Sequence, residues 1–215
     1  MKNICNLFIL DTSGSMAGER ISTALEGLNE NLLDIKSNTL EGINPYTSVW
    51  TFNSNGTQRE VACFQGSKKV KPNVKSGTSG MTALYDCICT AVDNLPKGFD
   101  GGIISIYTDG QENNSREFGL KDVQKRIRKL RKKGWAVTFV GADEESLQQA
   151  EKMGVSRKNM ARYNNERGLR SSLTANNDLR STYGSMVFTN SLNVDTADTL
   201  LSESLEDSDD VKTDK

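Results

Sequence analysis

Oxygen-bearing side chains follow directly on the first apolar stretch of the chain. Residues 4–10 (ICNLFIL) form a largely apolar run, and residues 11–16 (DTSGSM) come next. The carboxylate of Asp11 and the hydroxyls of Ser13 and Ser15 are hard oxygen ligands, of the kind that Mg²⁺ and Ca²⁺ prefer. Because open α/β sheets carry their sites at the carboxyl ends of their strands, this position predicts a metal site.

Two later segments supply side chains of the same type. Thr82 lies in the run GMTALYD, and Asp109 follows the apolar residues 103–108 in the run TDG. If the strands at 4–10 and 103–108 are neighbours in a parallel sheet, all three segments reach the same edge. Two carboxylates and three hydroxyls suit Mg²⁺, which takes about six oxygens and keeps several waters. Thr78, in the same loop as Thr82, is an alternative ligand.

The first of these segments also has a plainer interpretation. Ser and Asp are common in turns and at helix N-caps, and residues 11–15 lie just before a predicted helix at 17–36. On its own, the first segment does not separate a turn from a metal site. The joint occurrence of Thr82 and Asp109 favours the metal site.

Taken together, the three segments resemble the von Willebrand factor type A (vWA) domain over roughly residues 3–183. The D-x-S-x-S signature of that family, its later metal-site threonine and its final aspartate have counterparts here at Asp11, Ser13, Ser15, Thr82 and Asp109. Among such domains, the runs GMTALYD and TDGQENNSRE look most like the short, stand-alone cytoplasmic forms of bacteria and their phages.

The resemblance implies a function as well as a fold. It implies a metal-ion-dependent adhesion site, at which these five residues hold Mg²⁺, or Mn²⁺ or Ca²⁺, and an acidic residue of a partner protein completes the coordination. The chain would then be a protein-binding adaptor and not an enzyme. Residues near that edge are expected to shape what the metal meets: Met16, Asn53, Gln111, Glu112 and Asn113.

The elements that must position these residues follow from the hydrophobic pattern. Buried strands are predicted at 3–10, 103–108 and 135–140, with a weaker strand at 159–163. Amphipathic helices are predicted between and after them, at 17–36, 84–95, 115–133, 144–153 and 168–183. Strands separated by helices indicate an α/β fold: a doubly wound, mostly parallel sheet flanked by helices, as the resemblance also implies.

Two regions depart from this alternation. Residues 48–52 and 60–64 look like strands joined by a turn at 53–56, which predicts a short antiparallel hairpin at the edge of the sheet, followed by a loop at 66–81. Beyond Gly184 the apolar pattern fades into Ser, Thr, Asn and Asp. We therefore expect a vWA domain over residues 1–184, and a linker with a disordered acidic tail over residues 185–215.

Composition narrows the functional classes. The chain of 215 residues has a formal net charge of −1, contains no His, and has four cysteines without the spacing of a disulfide framework. No leader-like segment and no apolar run long enough for a membrane span is evident. A reduced, cytoplasmic protein without membrane contact is the expectation.

Two alternative functions stay open. A metal-dependent phosphoester hydrolase would use the same ion as a Lewis acid, although the lack of His removes the commonest general base. Nucleic-acid binding is the other alternative, because residues 121–133 contain eight Lys or Arg and a single acid. The solvated face of an amphipathic helix explains that run more simply.

Overall fold

The computed structural model describes residues 1–37, 40–65, 77–205 and 210–213. Its central element is a seven-stranded sheet with the order β3-β2-β1-β4-β5-β6-β7. The strands are β1 (Lys2–Asp11), β2 (Ile43–Asn53), β3 (Gly56–Gln65), β4 (Gly101–Tyr107), β5 (Ala136–Gly141), β6 (Met160–Tyr163) and β7 (Val211–Thr213). The five inner strands are parallel, whereas β3 and β7 pair antiparallel at the two edges. The predicted α/β class, the mostly parallel sheet and the edge hairpin are confirmed.

The helices cover both faces of the sheet, because the strands are apolar on both faces. They are α1 (Glu19–Ser37), α2 (Leu84–Asp93), α3 (Leu120–Arg131), α4 (Glu144–Met153), α5 (Glu166–Phe188), α6 (Val194–Ala197) and α7 (Leu200–Ser204). One apolar core joins α1, α5 and α7 to the sheet, and the other joins α2, α3 and α4. Within β1, Phe8 contributes to the first core and Leu7 to the second.

Strand order places the candidate site at a reversal of the chain path. After β1 the chain adds β2 and β3 on one side, then crosses to build β4 to β7 on the other. The carboxyl ends of β1 and β4 are therefore neighbours, and the loops that follow them diverge to leave a crevice. Open α/β sheets bind ligands at such a crevice. Leu10 is paired with Tyr107 in the register, so Asp11 and Asp109 follow at the same edge.

The C-terminal region contains structure that the sequence did not indicate. Helix α5 runs through Gly184, where the domain was expected to end, and residues of the expected linker and tail form α6, α7 and β7. Leu200, Leu201, Leu205 and Val211 are buried in the first core. These apolar residues are too few to show a period, and they are buried only against a core that already exists. Residues 206–209 and 214–215 of the expected tail lie outside the described ranges.

Two helices begin later in the sequence than predicted. A short 3₁₀ turn at Gly14–Met16 comes before α1, so that helix begins at Glu19 and not at 17. Helix α3 begins at Leu120 and not at 115, because the residues before it are held in an extended loop by α2, as described below. Much of the expected loop at 66–81, namely residues 66–76, lies outside the described part of the chain. Across the described ranges, no helix has both the length and the apolar character that a membrane span requires.

Candidate metal site

Asp11 is the last residue of the central strand β1, and its side chain is buried. Thr108 Oγ1 donates a hydrogen bond to Asp11 Oδ2 at 2.5 Å, and the backbone N–H of Ser13 donates to Oδ1 at 2.7 Å. Both oxygens of the carboxylate are therefore oriented by residues that directly follow β1 and β4. Burial raises the pKa of Asp11 to about 6, and the hydrogen bonds from Thr108 and Ser13 oppose that rise only in part.

The two serines link Asp11 to Asp109. The Ser13 and Ser15 hydroxyl oxygens lie 3.1 Å apart, and Ser15 Oγ donates to Asp109 Oδ1 at 2.7 Å. Ser13 is buried, whereas Ser15 is exposed. The chain of oxygens thus leads from the interior of the sheet edge to the protein surface.

Asp109 carries a second interaction from the opposite side. Its side chain has no exposed area, yet Arg20 Nη1 donates to Asp109 Oδ2 at 2.8 Å. Arg20 lies in the first turn of α1, and 43% of its side chain is exposed. Burying a carboxylate costs free energy unless it is paired or hydrogen-bonded. The guanidinium therefore stabilises the buried carboxylate of Asp109.

Thr82 reaches the same place from the loop before α2. Its side chain is buried, and a Cβ built on Gly110 would lie 3.3 Å from Thr82 Oγ1 and 3.8 Å from Ser15 Oγ. The missing Cβ of Gly110 therefore leaves space next to both hydroxyls. No atom of Thr78 lies within 4 Å of that position.

Backbone hydrogen bonds hold the three segments against one another. Gly14 N donates to Gly80 O at 2.8 Å, which ties the loop after β1 to the loop before α2. Thr82 N donates to Asn113 Oδ1 at 2.8 Å, and Asn113 N returns a bond to Thr82 O at 3.0 Å. This reciprocal pair joins the loop before α2 to the loop after β4.

Two carboxylates outside the predicted set organise the loop after β4. Asp86, in the first turn of α2, accepts the backbone N–H groups of Arg116, Glu117 and Phe118. Glu112 accepts the backbone N–H groups of Tyr85, Asn114 and Ser115, and the Ser115 hydroxyl. Glu112 was expected to shape what the metal meets, and the structure shows its carboxylate bonded within the protein instead.

The other residues expected at the rim differ in position. Met16 is fully buried in the first core, so its side chain packs in the interior beneath the loop after β1 and does not face a ligand. Asn53 is bonded to Thr12 Oγ1 at 3.2 Å, while Gln111 and Asn113 are exposed. Met81, next to Thr82, is 49% exposed and adds an apolar side chain to this rim.

Sequence reasoning missed three groups that contact the proposed ligands or hold the loop after β4 beside them. Thr108 carried a usable signal, because a hydroxyl next to the candidate ligand Asp109 ends the same strand. Asp86 lies in the quoted run GMTALYD, but nothing in that run shows that it would bind a loop thirty residues away. Arg20 gave no signal, because a charged residue early in an amphipathic helix normally points to solvent.

The assembled donor set is made of oxygen alone and fits a hard divalent cation. It comprises the carboxylates of Asp11 and Asp109 and the hydroxyls of Ser13, Ser15 and Thr82. In the described part of the chain, no group of three or more His, Cys, Asp or Glu side chains gathers as a metal cluster. Any ion here would therefore depend on hydroxyls and water beside two carboxylates, which is compatible with Mg²⁺.

Several solved structures share this fold at low sequence identity. A von Willebrand factor type A protein from Catenulispora acidiphila has a TM-score of 0.62 and 14% identity, covering 82% of this chain and 42% of that one. The vWF domain of the type V pili tip protein Mfa5 from Porphyromonas gingivalis has a TM-score of 0.64 and 7% identity, covering 85% and 96%. At these identities the likeness concerns the fold alone.

A third structure is described as having an occupied metal site. Proximal thread matrix protein 1 from the mussel byssus, with a zinc-occupied MIDAS motif, has a TM-score of 0.53 and 14% identity, covering 74% of this chain and 41% of that one. The chain thus spans less than half the length of this structure and of the Catenulispora protein. No curated protein matches the sequence.

The sequence also matches a family description directly. The von Willebrand factor type A domain matches residues 7–174, which is most of the chain. Domains of this family are typically protein-binding modules, usually without catalytic activity, and often have a metal-ion-dependent adhesion site. The chain belongs to the von Willebrand factor type A domain family.

Proposed function

We propose that this vWA domain is a divalent-metal-dependent adaptor that captures an acidic residue of a partner protein. The observation that carries the proposal is the convergence of three separate segments at the carboxyl edge of β1 and β4. Hydrogen bonds link Ser15 to Asp109 and Asp11 to Thr108, and Thr82 lies beside the same glycine as Ser15. Oxygen-bearing side chains gathered from distant parts of the sequence are the type of donor set that Mg²⁺ takes.

The residues that would hold the ion are Asp11, Ser13, Ser15, Thr82 and Asp109. When bound, Mg²⁺, or Mn²⁺ or Ca²⁺ in its place, supplies a positive centre that can accept an oxygen from outside the chain. The two carboxylates are buried and held by donors, so the protein has their orientation in place before an ion enters. The zinc in the MIDAS motif of the mussel protein supports a metal at this position of the fold.

An acidic partner follows from charge. Two carboxylates just balance a divalent ion, and the guanidinium of Arg20 adds a further positive charge at Asp109. A loaded site would then be positive overall, and the exposure of Ser15 supports access to it from the protein surface. A carboxylate from another protein is the simplest group that completes both the charge and the oxygen coordination.

The primary test is metal binding by Asp11→Asn. We expect isothermal titration calorimetry to show Mg²⁺ or Mn²⁺ binding by the wild-type chain, and no binding after this substitution, because one of only two carboxylates is lost. Asp178→Asn, at an exposed position on α5, is the matched control and should bind as the wild type does. Equal binding by all three chains would place the ion elsewhere and contradict the proposal.

Partner capture tests the second half of the proposal. Affinity capture from a lysate of the native host, with Mg²⁺ or with EDTA, should retain a protein only when both the metal and Asp11 are present. A set of proteins that is the same under all conditions would show that the metal site does not mediate binding. Glu→Gln and Asp→Asn changes in a retained partner then identify the acidic residue.

We also propose a reducing compartment, such as the cytoplasm of a bacterium or of a phage-infected cell. Cys5, Cys87 and Cys89 are buried, Cys87 and Cys89 have free thiols, and burial raises the pKa of the Cys89 thiol to about 12. Such thiols are inert and behave as small apolar residues. The side chain of Cys63 lies outside the described residues. Thiol titration of protein purified without reductant and then denatured should find the Cys87 and Cys89 thiols reduced.

A further inference from the structure

Among the residues that the structure describes, Arg20 is the one cation paired with a proposed metal ligand. Its Nη1 donates to Asp109 Oδ2 at 2.8 Å, while Ser15 Oγ donates to Oδ1 of the same carboxylate at 2.7 Å. Both oxygens of Asp109 are therefore engaged by donors from within the chain. The two donors come from the 3₁₀ turn and from α1, which follow each other directly after β1.

The surroundings of Arg20 favour its charged form. The hydrogen bond that Arg20 donates to Asp109 raises the pKa of Arg20, burial opposes that rise, and the carboxylate charge of Glu166 on the neighbouring α5 acts in the same direction as the hydrogen bond. Arg20 is also half-exposed, so its guanidinium can leave Asp109 for water without being trapped in the interior. Asp109, which is fully buried, has no such freedom.

A divalent ion and Arg20 would meet at the same carboxylate. If the guanidinium stays paired with Asp109, it neutralises part of the charge that attracts a divalent ion to this carboxylate. The guanidinium also repels the ion at short range. Charge-assisted hydrogen bonds of this kind are about twice as strong as neutral ones. Because the guanidinium must be displaced from a buried carboxylate, the net free energy of metal binding becomes less favourable.

We propose that Arg20 is an internal counter-ion that competes with the divalent metal for Asp109 and so sets the metal affinity of the site. The inference rests on the proposed function, since it assumes that Asp109 helps to hold an ion. It adds that Arg20 makes the site bind the metal more weakly than the same ligands would without this arginine. A partner's carboxylate that pairs with Arg20 relieves this competition, so metal and partner strengthen each other's binding.

The test compares Mn²⁺ affinity among substitutions of Arg20. Arg20→Gln removes the charge and keeps a polar, shorter side chain, and it should bind Mn²⁺ at least about tenfold more tightly than the wild type. Arg20→Lys keeps a cation and should stay within about threefold of the wild type. Arg126→Gln removes the arginine of another Arg–Asp pair, with Asp93 on α2, and should change nothing. Calorimetry, or the electron paramagnetic resonance signal of free Mn²⁺, reports each affinity.

A thermal unfolding series gives a second readout. In EDTA, Arg20→Gln should unfold at a lower temperature than the wild type, because Asp109 is left buried without its cation. Added Mg²⁺ should raise the unfolding temperature of Arg20→Gln by more than that of the wild type, as tighter binding to the folded state requires. If Arg20→Gln is not recovered folded, Arg20→Met, which retains the apolar stem, takes its place.

The outcomes separate this inference from the proposed function. Mn²⁺ binding of equal strength in the wild type and Arg20→Gln overturns the role of Arg20 and leaves the metal site standing. An equal gain of affinity in Arg20→Lys and Arg20→Gln overturns competition by charge. Failure of every chain to bind Mn²⁺ overturns the proposed function, and the inference with it. Binding by Arg20→Gln where the wild type shows none supports the inference in its strongest form.

Discussion

Asp11 combines burial with a full set of hydrogen bonds. Thr108 Oγ1 donates to its Oδ2 and also accepts the backbone N–H of Gly110 at 3.2 Å, so a single hydroxyl joins the ends of β1 and β4. A buried carboxylate depends on such donors, because an unsatisfied polar group in the interior costs free energy. The geometry of the candidate site therefore depends on a residue that need not touch an ion.

Replacing Thr108 with Val tests this dependence. The substitution keeps the shape of the side chain and removes the hydroxyl, so Asp11 Oδ2 loses the donor Thr108 and the backbone N–H of Gly110 loses its acceptor. We expect the free energy of unfolding to fall by about 1–3 kcal/mol, as measured by urea denaturation at neutral pH. Thr138→Val is the matched control, since its hydroxyl makes only a long bond of 3.4 Å to Ile104 O and its loss should cost less. Equal losses in the two variants would contradict the assigned role.

The same residues bear on the hydrolase alternative. The site contains hydroxyls and carboxylates, and the chain has no His to act as a general base. We expect no turnover of generic phosphoesters such as p-nitrophenyl phosphate with Mg²⁺ or Mn²⁺. Turnover that disappears in Asp109→Ala would favour the hydrolase over the adaptor.

At the scale of elements, the loop after β4 is held by the first turn of α2. The Asp86 carboxylate accepts three consecutive backbone N–H groups, from residues 116–118, at 2.8–3.1 Å. This arrangement delays the start of α3 to Leu120 and fixes the loop that carries Asn113 against Thr82. The positions of two proposed ligand segments are thus coupled through α2.

Asp86→Asn should loosen this loop. One amide oxygen cannot replace two carboxylate oxygens that accept three N–H groups, so we expect a loss of about 1–3 kcal/mol in unfolding free energy. Hydrogen exchange at the amides of residues 116–118 should accelerate, and metal affinity should fall. Asp93→Asn, on the same helix with an ion pair to Arg126, is the control and should leave those amides protected. Unchanged exchange in Asp86→Asn would contradict the coupling.

The outer face of α3 is the element on which the nucleic-acid alternative depends. Val123 and Ile127 are buried, while Arg126 and Arg131 are paired with Asp93 and Asp198. The remaining Lys and Arg residues of this stretch lie at exposed positions: Lys121, Lys125, Arg128, Lys129, Lys132 and Lys133. This distribution is typical of a solvated amphipathic helix.

Charge reversal at Arg128 and Lys132 tests that alternative. We expect only weak nucleic-acid binding by the wild type, falling steeply with salt and insensitive to EDTA, as measured by fluorescence anisotropy with a labelled oligonucleotide. Metal binding and unfolding should be unchanged in the double variant. Tight binding at physiological salt that the double variant loses would favour a nucleic-acid function for this face.

At the scale of the whole molecule, the C-terminal segment completes the sheet and one core. Strand β7 pairs with β6 at the edge, and Arg131 of α3 pairs with Asp198 in the segment between α6 and α7. A Cβ on Gly168 would lie 2.1 Å from Asp210 O, so the segment passes very close to the start of α5. This part of the chain is integrated with the domain.

Leu200→Ala measures that contribution. Leu200 is fully buried in the first core, and large-to-small changes at such positions cost about 2–5 kcal/mol. We expect urea denaturation to show a loss in this range. Leu33→Ala, at a site where 45% of the side chain is exposed, is the matched control and should cost much less. A negligible loss at Leu200 would mean that the segment adds little to the stability of the domain.

The sequence by itself determined the fold class, the family and the arrangement of most elements. Apolar runs and amphipathic stripes are local patterns, so the inner strands and the helices from α1 to α5 can be recognised from neighbouring residues alone. The oxygen-bearing residues at the strand ends were also visible, and they remain predicted ligands. Their mutual placement follows from one topological condition, that β1 and β4 are adjacent, which the structure shows.

Only the tertiary structure decided the features that depend on contacts between distant residues. The pairing of Arg20 with Asp109, the loop bound by Asp86 and the burial of Met16 leave no periodic trace in the sequence. The same holds for α7 and β7, whose few apolar residues gain burial only after the first core exists. Local patterns determine which residues form each helix and strand. Long-range packing determines which charged side chains lie in contact, and the chemistry of this site depends on those contacts.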